Sequence, residues 1–210
     1  MNIVLVGSFN PSIVQPAWLA KYGLIPDSEQ SDATTELIRN EFGRVSLPWV
    51  EIQVLRDRAD FTGTDNTPSA TAIRDLVLGC LDLLHHTPVS GLGINDWAHY
   101  RMASEAAWHA VGHRIIPPEN WSTVLGKPGM MSADVRGLRP DERAGSINVT
   151  VQPSGMFQPG VFISVNDHIE LLKDGERQTA GDASAVLQEV WDEARSRAKA
   201  LHEHVLAFAS

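Results

Sequence analysis

Two short stretches hold the side chains best suited to chemistry: Asn95-Asp96 with His99, and Asn166-Asp167-His168. A carboxylate and an imidazole within reach of each other can move protons or hold a metal ion for hydrolysis. Each stretch follows an apolar run that reads as a strand, Leu92 to Asn95 and Val161 to Val165. Side chains at strand ends often converge, so Asp96, His99, Asp167 and His168 form the candidate set for a small-ligand site or a metal-assisted hydrolase, with Asn95 beside them. Asn and Asp at such places also terminate strands by bonding their own backbone, a role that involves no chemistry.

Other patterns point to chemistry more faintly. His109 and His113 stand four apart, a spacing that lets two imidazoles of one helix meet a metal, but the glutamate of a zinc-protease helix is absent. Gly7-Ser8-Phe9-Asn10-Pro11 after an apolar strand resembles the opening turn of the adenylyltransferase-type nucleotidyltransferases. In those enzymes the turn leads into H-x-G-H, whose histidines stabilise the transferred phosphate. Here Ser12-Ile13-Val14-Gln15-Pro16 follows, so no donor meets that charge and nucleotidyl transfer is not expected. Cys80, the single cysteine, falls on the apolar face of a helix, where a thiol is inert. Neither a metal nor a cofactor is expected.

The elements that position these residues follow from periodicity. Ile3 to Val6 is an apolar run stopped by Gly7, which suits a buried strand. Pro16 opens a short helix that Gly23 and Pro26 close. A helical turn is expected around Thr35 to Arg39. Val50, Ile52 and Val54 alternate with Glu51 and Gln53, a half-buried strand, and Arg58 to Thr62 extends or partners it. Thr64 to Pro68 signals a helix start, with Ile73, Leu76, Val77, Cys80, Leu81 and Leu84 on one face. Ser104 caps a helix that Pro117 stops. Strands are expected at 131–138, 147–151 and 161–165. From Asp182 a long helix carries Leu187, Trp191, Ala194, Ala198, Leu201, Val205 and Phe208 at alternating intervals of four and three, a narrow apolar stripe that packs on a sheet.

The chain repeats itself. Ala17-Trp18 to Pro26 and Ala107-Trp108 to Pro117 share an Ala-Trp pair, a following Ala, a Gly and a closing Pro, and the later helices both open on Ser-Ala, at Ser69 and Ser184. The expected fold is α+β: two pseudo-repeated β-α-β(n)-α halves, residues 1–88 and 89–210, forming one continuous body that shares a curved antiparallel sheet with helices on one face. That order resembles the saddle of the TATA-box-binding protein. Ile3 to Val6, Gly93-Ile94-Asn95 and Asn166-Asp167-His168 are also similar to a family of uncharacterised bacterial proteins, a resemblance that supports the fold and leaves the function open.

Composition narrows the function. With 210 residues, 43% hydrophobic and 20% charged, the chain can bury a sizeable core. The net charge of −9 divides into −5 for residues 1–88 and −4 for 89–210, so neither half has the basic footprint of a nucleic-acid binder. No apolar run reaches membrane-spanning length; Met1 to Gly7 lacks the basic n-region of a signal peptide, so a strand is expected there instead; and one cysteine suits a reducing cytoplasm. The leading expectation is a non-enzymatic interaction or scaffolding protein of the bacterial cytoplasm, meeting a protein partner or a second copy through the helix-free sheet face. Strand alternation places Trp49, Leu55, Trp97 and Phe162 there, with Asn95 and His168 nearby. Trp18, Trp108 and Trp191 are expected in the core.

Overall fold

The computed structural model describes residues 1–38 and 41–209. The fold is α+β with antiparallel strands. The chain forms two compact units, neither a single stretch of sequence. The first comprises Met1–Asn95, Glu142–Gly145 and His168–Trp191; the second comprises Asp96–Asp141, Ser146–Asp167 and Asp192–Ser210.

In the first unit the strands are β1 (Asn2–Gly7), β2 (Thr34–Ile38), β3 (Phe42–Ser46), β4 (Val50–Leu55), β5 (Arg58–Gly63) and the first part of β6 (Pro88–Arg101), ordered β2-β3-β4-β5-β1-β6. The helices are α1 (Pro16–Lys21), α2 (Asp27–Asp32), α3 (Ala70–Leu83) and the start of α5 (Ala180–Leu206). Alternation decides the core. Val50, Ile52 and Val54 are buried while Glu51, Gln53 and Leu55 are not, and Ile52 pairs with Val45 and Phe61 across the sheet. The helix α3, capped by the Ser69 hydroxyl accepting from the Ala72 amide, packs Ile73, Leu76, Val77, Cys80 and Leu81 inward, next to β1 and β5. The Ser184 hydroxyl of α5 donates to Asp82 of α3 at 2.8 Å.

In the second unit the rest of β6 is followed by α4 (Glu105–Ile115), a 3-10 turn at Pro118–Asn120, β7 (Ala133–Leu138), β8 (Gly145–Pro153), β9 (Gly160–Glu170) and the remainder of α5. Its strand order is β6-β9-β8-β7. Val151, Val161 and Ile163 form one core with Val111 of α4 and Val205 of α5, while Ile147 and Val165 pack on Ala198. In the first unit a hairpin of β10 (Leu172–Lys173) and β11 (Glu176–Thr179) leads into α5, and β11 pairs with the start of β6.

Several expectations change. Thr35 to Ile38 is strand, not helical turn, because it pairs with β3; Arg39 lies outside the described residues. Trp191 is buried, but Trp18 and Trp108 are only half-buried: α1 is six residues long and turns Leu19 and Ala20 inward, leaving Trp18 against Tyr22. The strands β6 and β9 run past Asn95 and Val165, so Asn95-Asp96 and Asn166-Asp167-His168 lie inside strands rather than at their ends. Among the described residues no helix is long and apolar enough to cross a membrane.

Candidate functional site

The strand period of two separates the expected quartet. Asp96 and Tyr100 of β6 face α5: Asp96 forms an ion pair with Arg195, and the Tyr100 hydroxyl lies 2.8 Å from His202 Nδ1. His99, three positions from Asp96, emerges on the opposite face, where its Nδ1 sits 2.8 Å from Ser154 Oγ and its ring rests 4.7 Å from that of Phe162. Asp167 is buried on the helix side, and His168, next along the strand, turns the other way in the first unit. There a Cβ on Gly91 would come within 3.0 Å of the imidazole. The Asn95 amide donates to Asn2 Oδ1 at 2.6 Å. Asp96 and His99 therefore leave opposite faces of β6, and Asp167 and His168 leave opposite faces of β9.

The carboxylate of Asp167 is held by two guanidiniums. Arg139, whose side chain is fully buried, bonds one oxygen, and Arg197 of α5 donates to the other at 3.0 Å. Arg139 also grips Asp141 through Nε at 2.9 Å, and Arg197 Nη2 lies 3.9 Å from Asp141. Two cations and two anions balance within one small volume. Losing any one member of the network would leave a buried partner uncompensated.

Beside β6, an open groove of about 560 Å³ is lined by Asp96, Tyr100, Arg195, Lys199, His202 and Glu203. Burial pushes the His202 imidazole below its ordinary pKa; Asp96 opposes that shift and Arg195 adds to it. Burial, then Asp96 and Glu203, pushes the Tyr100 phenol up. The protonated phenol and the neutral imidazole share one hydrogen bond, and His202 Nε2 lies 3.6 Å from Asp96 with no hydrogen-bond partner among the described residues. The pair joins α5 to β6 as a clamp, and nothing in it is activated as a nucleophile.

His109 and His113 stack at 5.7 Å on the exposed face of α4, at the rim of a cavity of about 350 Å³ that Trp108, Lys127 and Met130 also line. Among the described residues no group of three or more His, Cys, Asp or Glu is placed to hold a metal ion. The turn Gly7-Ser8-Phe9 cannot cradle a phosphate: its three amides donate to the carbonyls of Asp57, Pro88 and Arg56.

The expected interaction residues are placed unevenly. Trp97 and Phe162 are half-buried on the helix-free side of the second unit's sheet. Leu55 is exposed at the end of β4, opposite Phe42. Trp49 precedes β4, and its indole donates to Glu29 of α2 at 2.9 Å. Sequence reasoning missed the most exposed apolar stretch, Trp121 to Leu138. Trp121, Val124, Leu125, Met131, Val135 and Leu138 all stand in solvent, with Met131 at 87% and Leu138 at 90% exposure. Trp121, Leu125 and Met131 border an apolar groove of about 240 Å³. The stretch ends in β7, last in its unit's strand order, with β8 on one side and no strand on the other among the described residues. Composition did not mark it: eight of the eighteen residues from Trp121 to Leu138 are hydrophobic, close to the 43% of the whole chain.

No protein-family model matches this sequence, and no curated protein matches it.

Proposed function

We propose that this protein is a non-enzymatic interaction protein that assembles with a second copy of itself along β7. The observation that carries the reading is the free edge of β7, with Val135 61% and Leu138 90% exposed. An edge strand offers a row of unpaired amides and carbonyls, and most proteins blunt such edges. This one is self-complementary. In antiparallel pairing centred on Val135, each Val135 meets the partner's Val135, and each Asp134 lies opposite the partner's Arg136. Two opposite-charge pairs then flank an apolar contact, an arrangement that favours this register over a slipped one.

The helix-free face supports the same reading. Asp134, Arg136 and Leu138 pair with Thr150, Asn148 and Ser146, and Asn148 bonds Asn166 of β9, so the β7 residues share a face with the side of β9 that bears Phe162. Edge pairing would extend that face, with Trp97 and Phe162, across two copies.

Analytical ultracentrifugation over a micromolar concentration range tests the reading. Asp134→Arg alone puts two arginines opposite each other and should give monomers. Asp134→Arg combined with Arg136→Asp exchanges the charges and should restore the dimer. Both variants lose the Thr150 hydrogen bond to Asp134, so that loss cancels. A monomeric wild type, or a double variant that stays monomeric, overturns the proposal.

A further inference from the structure

The first unit contains a cavity of about 260 Å³ between the sheet and α3. Leu5, Val54 and Phe61 form its sheet wall, and Val14, Cys80 and Leu81 close the other side. Protein interiors leave few voids larger than a water molecule. Apolar cavities of about 150 Å³ hold a benzene ring, which scales here to an occupant of about eight to ten heavy atoms. The polar residues of the lining are Ser8, Asn10 and Thr87, and both Ser8 and Asn10 are exposed, which makes them the mouth. At that mouth Arg177 of β11 donates to Ser8 Oγ at 2.5 Å, and among the described residues no carboxylate pairs with it.

We propose that this cavity is a binding site for a straight-chain monocarboxylate of about eight carbons in all. The tail lies along Leu5, Val54 and Phe61; the carboxylate sits at the mouth and accepts from Arg177 and Ser8. A planar carboxylate matches the guanidinium fork. A phosphate is disfavoured because the amides of Gly7, Ser8 and Phe9, which would have to receive its oxygens, already donate to backbone carbonyls. The Gly7-Ser8-Phe9-Asn10-Pro11 turn thus finds its use as one side of an entrance. This site is separate from the β7 edge, and either proposal can fail without the other.

Cys80 supplies a native reporter. It is the only cysteine, it is buried, and burial pushes its thiol up to about 12, so it reacts only when the cavity opens. The experiment measures melting temperature and the rate of Cys80 labelling by an aromatic disulfide, with octanoate below its micellar concentration and with octanol. Octanoate should raise the melting temperature and slow labelling. Arg177→Gln, at an exposed position, should weaken octanoate by about tenfold or more and leave octanol unchanged. Ala59→Leu, which fills the cavity from β5, should abolish both responses; if that variant fails to fold, Arg177→Gln still decides. An octanoate titration that changes neither readout, or an Arg177→Gln variant that binds octanoate as well as the wild type, overturns the proposal.

Discussion

Tyr100 and His202 meet at 2.8 Å, joining β6 to α5 within the second unit through a neutral imidazole. The groups facing His202 are Tyr100, Asp96 and Arg195, and the net result is a folded-state pKa below the ordinary value of 6.5. Near and below pH 6.5 the unfolded chain therefore binds a proton that the folded chain does not. Stability is fully present above that pH and falls as pH drops toward the folded value, by up to about 1.4 kcal/mol per pH unit for one proton. Urea midpoints from pH 8 to pH 5 should fall across this window, and His202→Asn should flatten the slope whatever its absolute stability. An unchanged slope in the variant would assign the pH dependence to other groups.

Asp167 gives a larger effect. Asp167→Asn removes the anion shared by Arg139 and Arg197, and the fully buried Arg139 keeps only Asp141. The expected loss is about 3–5 kcal/mol. Chemical denaturation giving less than about 1 kcal/mol would show that water or a side-chain shift compensates.

The long stripe of α5 was legible because its spacing of four and three needs no partner to be recognised. Leu201 packs half-buried on Ile147, Val165 and Ala198 as the stripe predicts; the residue that spacing alone did not include is His202, a polar side chain buried against Tyr100, which is distant in the sequence. The same blindness shortened β6 and β9. Asp96 and Asp167 read as strand terminators because the arginines that neutralise them, Arg139, Arg195 and Arg197, come from distant parts of the chain. The strand β2 was invisible for the opposite reason: all five of its residues are exposed, so it has no alternation to read. As for the candidate site, strand alternation separated Glu51, Gln53, Leu55 and Phe162 from their buried neighbours, but could not show that Trp49, outside the strand, would turn to Glu29.

The tryptophans should separate by burial. Trp191 is 3% exposed and lies under the Arg74 guanidinium at 5.6 Å, so Trp191→Ala is expected to cost about 3–5 kcal/mol. Trp18→Ala should cost clearly less, since its ring lies against Tyr22 at the surface. Equal losses in urea denaturation would contradict this ordering.

Gly145 combines a positive φ with a backbone collision. Its φ is +135°, and a Cβ there would sit 2.1 Å from the carbonyl oxygen of His168. Backbone conformation and collision both oppose a side chain, so Gly145→Ala should lose at least about 2 kcal/mol. Gly155→Ala, with nothing within 4 Å of the added carbon, is the control and should be near neutral. A Gly145→Ala variant as stable as the control would mean that the 142–145 segment shifts freely.

Val135 separates an interface from a core. Its side chain pairs with Val149 of β8, yet 61% of it remains exposed. A residue placed this way contributes little to the folded monomer, and exposed substitutions of this kind fall within about 0.5 kcal/mol of neutral. In the self-paired edge the same residue lies on the twofold axis, so Val135→Lys would set two ammonium groups against each other where two valines met. The variant should therefore unfold at the wild-type urea midpoint, measured at a concentration where both are monomeric, and fail to dimerise at concentrations where the wild type does. Leu138→Lys, near the end of the strand, should weaken the dimer less, because that residue lies away from the axis and closer to solvent. If Val135→Lys lowers the midpoint of the monomer by more than about 1 kcal/mol, the valine belongs to the core of the sheet. If it dimerises like the wild type, the assembling surface is elsewhere, and the helix-free face around Trp97 and Phe162 becomes the region to mutate.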